Sequence, residues 1–284
     1  MKKPLTDEQV ACFTRDGFVC VPNFYDLACE IDPIRRAVYD IIGLVIRRHD
    51  LPIRQQPYDP VCFDSGLNEL IAAQRRYGSE VYDAVKMIPA FVRLAASEKH
   101  EAVIQQLRST ALAGFISHGY GIRIDIPGED QYRALWHQEY LFQLRSRDGV
   151  TLWSPLLRMS PELGPVHFAA GSHREGIHRV YEGDRRKPGV YSWTLEHESE
   201  LLPKYEHVAP LANPGDVIIL DFQVLHCSGF NRCNRARWSM QMRLFNFLEP
   251  SGVATGWSGA VAEGVRVPDV FPEYFAPAPL GAST

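Results

Sequence analysis

From about residue 116 to residue 250 the chain is cut into short apolar runs with turn signals between them, a pattern that few folds accept. The run 121–126 stops at Pro127-Gly128, the run 217–222 follows Asn213-Pro214-Gly215, and 150–157 is a third of the same length class. Proline removes a backbone donor and glycine opens the φ angles that turns require, so these pairs end strands. Short strands so spaced close into a barrel or pack as a sandwich. The expected fold class is mainly β, with buttressing helices.

The helices belong to the first third. Thr6-Asp7-Glu8-Gln9 has the form of a capping box, with Leu5 and Val10 placed to staple, and predicts a helix ending near Asp16-Gly17. Phe18-Val19-Cys20-Val21-Pro22 then reads as a short strand stopped by proline. Asp32-Pro33 reads as a cap followed by a first-turn proline, and Ile34, Val38, Ile41, Ile42 and Val45 recur on one face behind it. Two more helices are expected, near Leu67 to Arg76 and after Ser97, where Val103, Ile104 and Leu107 share a face. No linker, repeat or low-complexity tract separates helices from strands. One domain, 1–284, is therefore expected, with a helix-rich part at 1–115, a β core at 116–250 and a C-terminal extension at 251–284.

One run has two faces of different kind. From Arg237 to Phe247 the odd positions carry Arg, Ser, Gln, Arg, Phe and Phe, and the even ones Trp, Met, Met, Leu and Asn. Successive side chains on a strand point to opposite sides. The pattern fits an ordinary half-exposed strand, or one that buries Trp238, Met240, Met242 and Leu244 under helices while Arg237, Ser239 and Gln241 face a polar interior.

Acidic residues outnumber basic ones, 34 to 30, so the clustered basic surface of a nucleic-acid partner is not expected. The longest apolar runs are too short to span a bilayer, and the opening Met1-Lys2-Lys3-Pro4-Leu5 lacks the apolar stretch of a signal peptide. The six cysteines form no CxxC pair, which reads as reduced thiols in a cytoplasmic enzyme. The sequence leaves the oligomeric state open.

The chemistry concentrates in Trp136-His137-Gln138-Glu139. On an extended strand, residues two apart point the same way, so His137 and Glu139 can occupy adjacent corners of one metal, and His226 can supply the third. Two imidazoles and one carboxylate on a single octahedral face leave positions open, as an Fe(II) oxygenase requires. An isolated HxE triplet is weak evidence, but here His226 follows the turn and buried run of Gly215-Asp216-Val217-Ile218-Ile219-Leu220, and Arg237 stands eleven residues beyond it.

Those residues, together with Leu163-Gly164-Pro165, Ala170-Gly171-Ser172-His173, Ser228 and Asn231, resemble the phytanoyl-CoA dioxygenase family of 2-oxoglutarate-dependent oxygenases. The resemblance covers most of the chain and leaves 51–93 and 174–206 unassigned. It implies a double-stranded β-helix, the cupin-like jelly-roll, with His137, Glu139 and His226 on Fe(II). It also implies that Arg237 grips the far carboxylate of 2-oxoglutarate, with Ser228 adding a donor and Thr151 and Trp153 lining the same pocket. A planar, permanently charged guanidinium suits a carboxylate. The cofactors implied are Fe(II), 2-oxoglutarate and O2, with ascorbate as an optional reductant. Glu139 stands where the family usually has aspartate. It also fills the position that related halogenases vacate for chloride, which favours hydroxylation.

Tyr140 and Gln143 are candidates for contact with a small, polar or acidic substrate. His167, His173 and His178 read as turn residues rather than a second metal site. Arg145, Arg147, Arg158, Arg174, Arg179, Arg185 and Arg186 read as solvated loops, or as a basic rim to the pocket. No Walker A, HExxH, GxSxG or dinucleotide signature occurs. Two alternatives stay open: a cupin-like metalloenzyme that does not use 2-oxoglutarate, and a metal-free relic of the fold acting as a binding protein.

Overall fold

The computed structural model describes residues 3–183, 187, 189–257, 259 and 264–277. Its strands are β1 (Phe18–Val21), β2 (Ala113–Phe115), β3 (Gly121–Asp125), β4 (Val150–Pro155), β5 (Val166–Ala169), β6 (Val180–Glu182), β7 (Trp193–Leu195), β8 (His207–Val208), β9 (Val217–Asp221), β10 (His226–Ser228) and β11 (Arg237–Asn246). Antiparallel pairing builds a six-stranded sheet in the order β1-β9-β4-β11-β2, with β3 also on β11, and a three-stranded sheet in the order β10-β5-β8. Phe18 of the larger sheet stacks on Phe168 of the smaller at 4.3 Å. Among the described residues helices hold more of the chain than strands, so the structure is one of sheets plus helices and by residue count is not the mainly β chain expected.

The reason lies in the outer face of the larger sheet. Trp238, Met240 and Met242 are fully buried and Leu244 nearly so, in one cluster with the apolar faces of the N-terminal helices. These helices are α1 (Asp7–Asp16), α2 (Asp32–Arg48), α3 (Leu67–Ala73), α4 (Arg75–Val85), α5 (Pro89–Ala95) and α6 (Glu98–Arg108). A wide apolar sheet face needs a cover of this kind to leave water. The segment 51–93 is part of that cover. Phe63 meets the Trp238 ring edge-on at 5.6 Å, and Asp64 accepts from the indole Nε1–H at 3.0 Å while pairing with Arg235.

The capping box forms as expected, Thr6 accepting from Gln9 N–H and the Gln9 side chain returning to Thr6 N–H, and Gly17 ends α1 in the left-handed region at φ 80°. At α2 the cap differs from expectation. A π-turn over Leu27–Ile31 runs into the helix, Asp26 accepts from Cys29 N–H, and Asp32 pairs with Arg35 instead of capping. The expected helix from Leu67 to Arg76 is two, because Gln74 is extended (φ −162°, ψ 124°) between α3 and α4. The boundary at 116 is also not structural, since β1 forms an edge of the larger sheet and β2 pairs with β11. Among the described residues no helix is long and apolar enough to cross a membrane, and all six cysteines are free.

Trp238→Ala removes the largest side chain of the buried face together with its bond to Asp64. It should lower stability by about 3–5 kcal/mol, read as a lower urea midpoint at unchanged slope.

Candidate metal centre

The two histidines are joined through their backbones. His137 and His226 form an isolated antiparallel bridge in which each N–H donates to the other's carbonyl at 3.0 Å. Such pairing sets two side chains next to each other on one face, and the imidazole centroids lie 4.2 Å apart. Glu139 reaches the same point by a route the sequence did not indicate. It is helical (φ −61°, ψ −31°), at the start of the short helix α7 (Tyr140–Gln143), rather than on an extended strand. One ligand atom from each of His137, Glu139 and His226 lies within 4.8 Å of the others, with Glu139 Oε2 3.8 Å from His226 Nε2.

The protonation of this set suits a cation. His137 Nδ1 is 2.7 Å from the carbonyl of Leu135 and His226 Nδ1 3.0 Å from that of Val224. A carbonyl only accepts, so each Nδ1 carries the proton and each Nε2 keeps its lone pair. Burial lowers both imidazole pKa values, that of His226 to about 3, so both rings are neutral ligands. Burial pulls the other way on Glu139, but the charge of Arg243, the two histidines once they are protonated at low pH and the Arg243 hydrogen bond outweigh it and hold the carboxyl at about 2. Arg243 Nε–H donates to Glu139 Oε1 at 2.7 Å, while its other nitrogens donate to the Gly119 carbonyl and to Gln241 Oε1, each at 2.8 Å. One carboxylate oxygen is thus occupied and the other faces His226. The donor set fits Fe(II) bound through one glutamate oxygen and two Nε2 atoms.

The triad opens into a cavity of about 480 Å³ between the two sheets. Thr151, Trp153, Leu220, Gln241 and Arg243 line it from the larger sheet, Val166, His226, Cys227 and Ser228 from the smaller, and Tyr191 and Trp193 from the unassigned stretch 174–206. Thr151 Oγ1 and Gln143 Oε1 are buried on this wall without a hydrogen-bond partner. Buried polar atoms are rarely left so, and these two are free to meet a bound molecule.

Of the residues singled out in the sequence, Ser228, Thr151, Trp153 and Gln143 line the cavity. Arg237 is 1% exposed and sits behind the wall, where Nε and Nη2 donate to Asp125 Oδ2 at 3.1 and 2.8 Å, Nη2 to Ser228 Oγ at 3.2 Å and Nη1 to the carbonyl of Gly164. That carbonyl is reached because Gly164 is at φ 70° and packs directly on the backbone of Gly229, where a Cβ would lie 2.5 Å from an oxygen. Tyr140 turns away from the cavity. Its ring packs near Phe271 and under Arg147, because α7 begins at Glu139 and rotates the next side chain into the second apolar cluster.

Arg235, the nearby arginine on the same segment, pairs with Asp64 on the helix side. His173 Nε2 donates to the Thr14 carbonyl at 3.2 Å, and neither His167 nor His178 joins the triad. Arg145, Arg147, Arg158, Arg174 and Arg179 do not line the cavity, and Arg185 and Arg186 lie outside the described residues. Two lining arginines escaped sequence reasoning. Arg243 was signalled by the same alternation that placed Gln241 inward, one step further along; Arg123 carried no motif.

Three clustered donors facing a cavity between two sheets define a metal-dependent enzyme. The chain belongs to the phytanoyl-CoA dioxygenase family, whose model matches residues 13–239. It is 26% identical over 260 residues to a phytanoyl-CoA dioxygenase domain-containing protein 1 homolog of Dictyostelium discoideum, covering 82% of this chain and 88% of that one. Among solved structures it is similar to EctD from S. alaskensis with 2-oxoglutarate and 5-hydroxyectoine (18% identity, TM-score 0.54, covering 86% and 77% of the two chains). It is similar also to the carbocyclase SnoK from nogalamycin biosynthesis (15% identity, TM-score 0.53, covering 90% and 92%).

Arg243→Gln removes the charge that fixes one oxygen of Glu139. Partners of metal ligands typically contribute about 10–100-fold to metal affinity, and a loss of that size is expected when Co(II) binding is titrated by its visible absorbance.

Proposed function

We propose that this chain is an Fe(II)- and 2-oxoglutarate-dependent dioxygenase that hydroxylates a small organic substrate with release of succinate and CO2. The observation that carries the reading is the triad itself: neutral imidazoles with Nε2 turned inward beside an ionised carboxylate with one oxygen to spare, at the wall of a cavity large enough for two small molecules. His137, Glu139 and His226 hold the metal. Bound there with 2-oxoglutarate and O2, Fe(II) supplies oxidative decarboxylation and the power to oxidise a C–H bond.

The chain's own residues bind, orient and exclude water. Arg237 and Ser228 receive the far carboxylate of 2-oxoglutarate, which takes over part of the hydrogen bonding that Asp125 and the Gly164 carbonyl hold in its absence. The hydroxyl of Thr151, unpartnered in the protein alone, and the face of Trp153 complete that pocket. Gln143, which reaches Glu139 Oε1 at 3.4 Å, offers an unpaired acceptor on the substrate side. Phe142, Trp193, Val166 and Leu220 form apolar walls that keep water from the reacting carbon.

The core reads as a double-stranded β-helix, supported by the antiparallel order of the two sheets and the cavity between them. The helices and the described part of 251–284 complete one domain around it. Val267, Phe271, Tyr274 and Phe275 pack in the cluster that carries Tyr140 and Leu141, so the extension braces the helix next to Glu139.

Succinate should form from 2-oxoglutarate only with Fe(II) present, and turnover should fall to background in His137→Ala and in His226→Ala; undiminished turnover in either would remove it from the ligand set. Arg237→Ala should raise the KM for 2-oxoglutarate at least about tenfold, the range of a lost charged hydrogen bond, while leaving metal stoichiometry at one.

A further inference from the structure

Three arginines and two carboxylates meet at this cavity and its back wall, and their charges do not cancel. Arg243 is matched by Glu139. Among the described residues Asp125 alone serves the other two, Oδ2 accepting from Arg237 and Oδ1 from Arg123 Nη2 at 2.7 Å. Imidazoles that ligate a metal through Nε2 carry no charge, so the formal sum of the loaded site's side chains is one positive charge. A divalent metal and the dianion 2-oxoglutarate cancel each other, so the loaded site keeps that surplus. A buried charge without a counter-ion is costly, and a ligand that brings the counter-ion is favoured.

The surplus falls on Arg123. Arg237 lies behind the wall, whereas Arg123 lines the cavity, donating to Tyr191 Oη at 3.0 Å and the Tyr132 carbonyl at 3.1 Å, and its buried Nε–H has no partner. A second chamber of about 390 Å³ shares Arg123 and Tyr191 as its wall. Among the described residues no relief comes from that side: Glu129 there is taken by Arg75 at 2.9 Å, and Asp83, largely exposed, by Lys86 at 3.2 Å. On the cavity side the Arg123 guanidinium lies over the Tyr191 ring at 5.9 Å, and the stacked rings of Phe142 and Trp193, 5.3 Å apart, line the same cavity.

We propose that the substrate is a small organic monoanion whose charged group seats on Arg123 and whose carbon skeleton lies against Tyr191, Trp193 and Phe142. This rests on the dioxygenase reading above and adds a specificity-determining residue to it. A carboxylate and a phosphate diester are monoanions that share the chemistry Arg123 recognises.

The test is a panel of small aromatic and aliphatic carboxylates, each paired with the carboxamide of the same skeleton, with phosphate diesters as the second anion class. Binding is followed calorimetrically on protein loaded with Mn(II) and 2-oxoglutarate. For the skeletons that fit, the anion should bind at least about tenfold more tightly than its neutral twin. The ratio should fall to about one in Arg123→Gln and recover in part in Arg123→Lys. A wild-type panel in which no anion outbinds its amide overturns the proposal without reference to any variant. So does a ratio that survives in Arg123→Gln, or one lost only in Arg243→Gln. Failure of 2-oxoglutarate itself to bind the Mn(II)-loaded wild type strikes the dioxygenase reading first, and this inference with it.

Discussion

The molecule is organised by a strand that must satisfy two media at once. On β11 the even residues Trp238, Met240, Met242 and Leu244 enter a helix-covered apolar core, and the odd residues Arg237, Ser239, Gln241 and Arg243 face the interior between the sheets. Because the side-chain period of a strand is two, a slip of one residue would exchange these sets, sending guanidiniums into the core and an indole into the cavity. Both faces therefore fix the same register, and with it the inward neighbours across the sheet. Arg237 stands opposite Asp125, Ser239 opposite Arg123 and Pro155, Gln241 opposite Trp153, and Arg243 opposite Thr151.

The metal donors come from the other side. His226 opens β10, His137 is bridged to it, and Glu139 starts the turn of helix that follows. The centre closes only where Glu139 meets Arg243, across the gap between the two sheets. Contacts such as the Phe18–Phe168 stack set that gap, so apolar packing some distance from the chemistry governs how the carboxylate is presented. The rim is built by the extra segments: the β6–β7 hairpin brings Trp193, and 51–93 pins the back of β11 through Phe63 and Asp64.

What could be read in advance followed from periodicity and residue chemistry. The alternation of β11, the capping box at Thr6 and the apolar face of α2 rest on local pattern, and local pattern survives folding; the three metal donors were legible by residue type and order, although Glu139 comes from a helical turn and not from the expected strand. What was missed depends on contacts between distant segments. Nothing near Asp32 announces that Asp26 caps a π-turn ahead of it, and nothing near Tyr140 says that a helix begins at Glu139 and turns the tyrosine toward Phe271. Arg237 was legible as an inward arginine; its capture by Asp125, 112 residues away, was not. Arg123 was invisible for the same reason, its meaning lying in a carboxylate it must share.

Glu139 in the usual place of an aspartate follows from the same geometry. Its longer arm carries one oxygen to Arg243 while the other stays toward His226, and a shorter side chain on the same backbone would draw the carboxylate back from one of these contacts. Arg243 in turn does two things that a neutral partner would not. It keeps the buried carboxyl ionised against desolvation, and it adds to the depression of both imidazole pKa values. A donor set of neutral imidazoles and a charged carboxylate is thereby ready for a divalent cation before any cation arrives. Ligand and arginine form one unit, brought together from the turn that opens α7 and from β11, and the departure from the family pattern at the ligand is answered by a cation at the inward position of β11 beside the donor set.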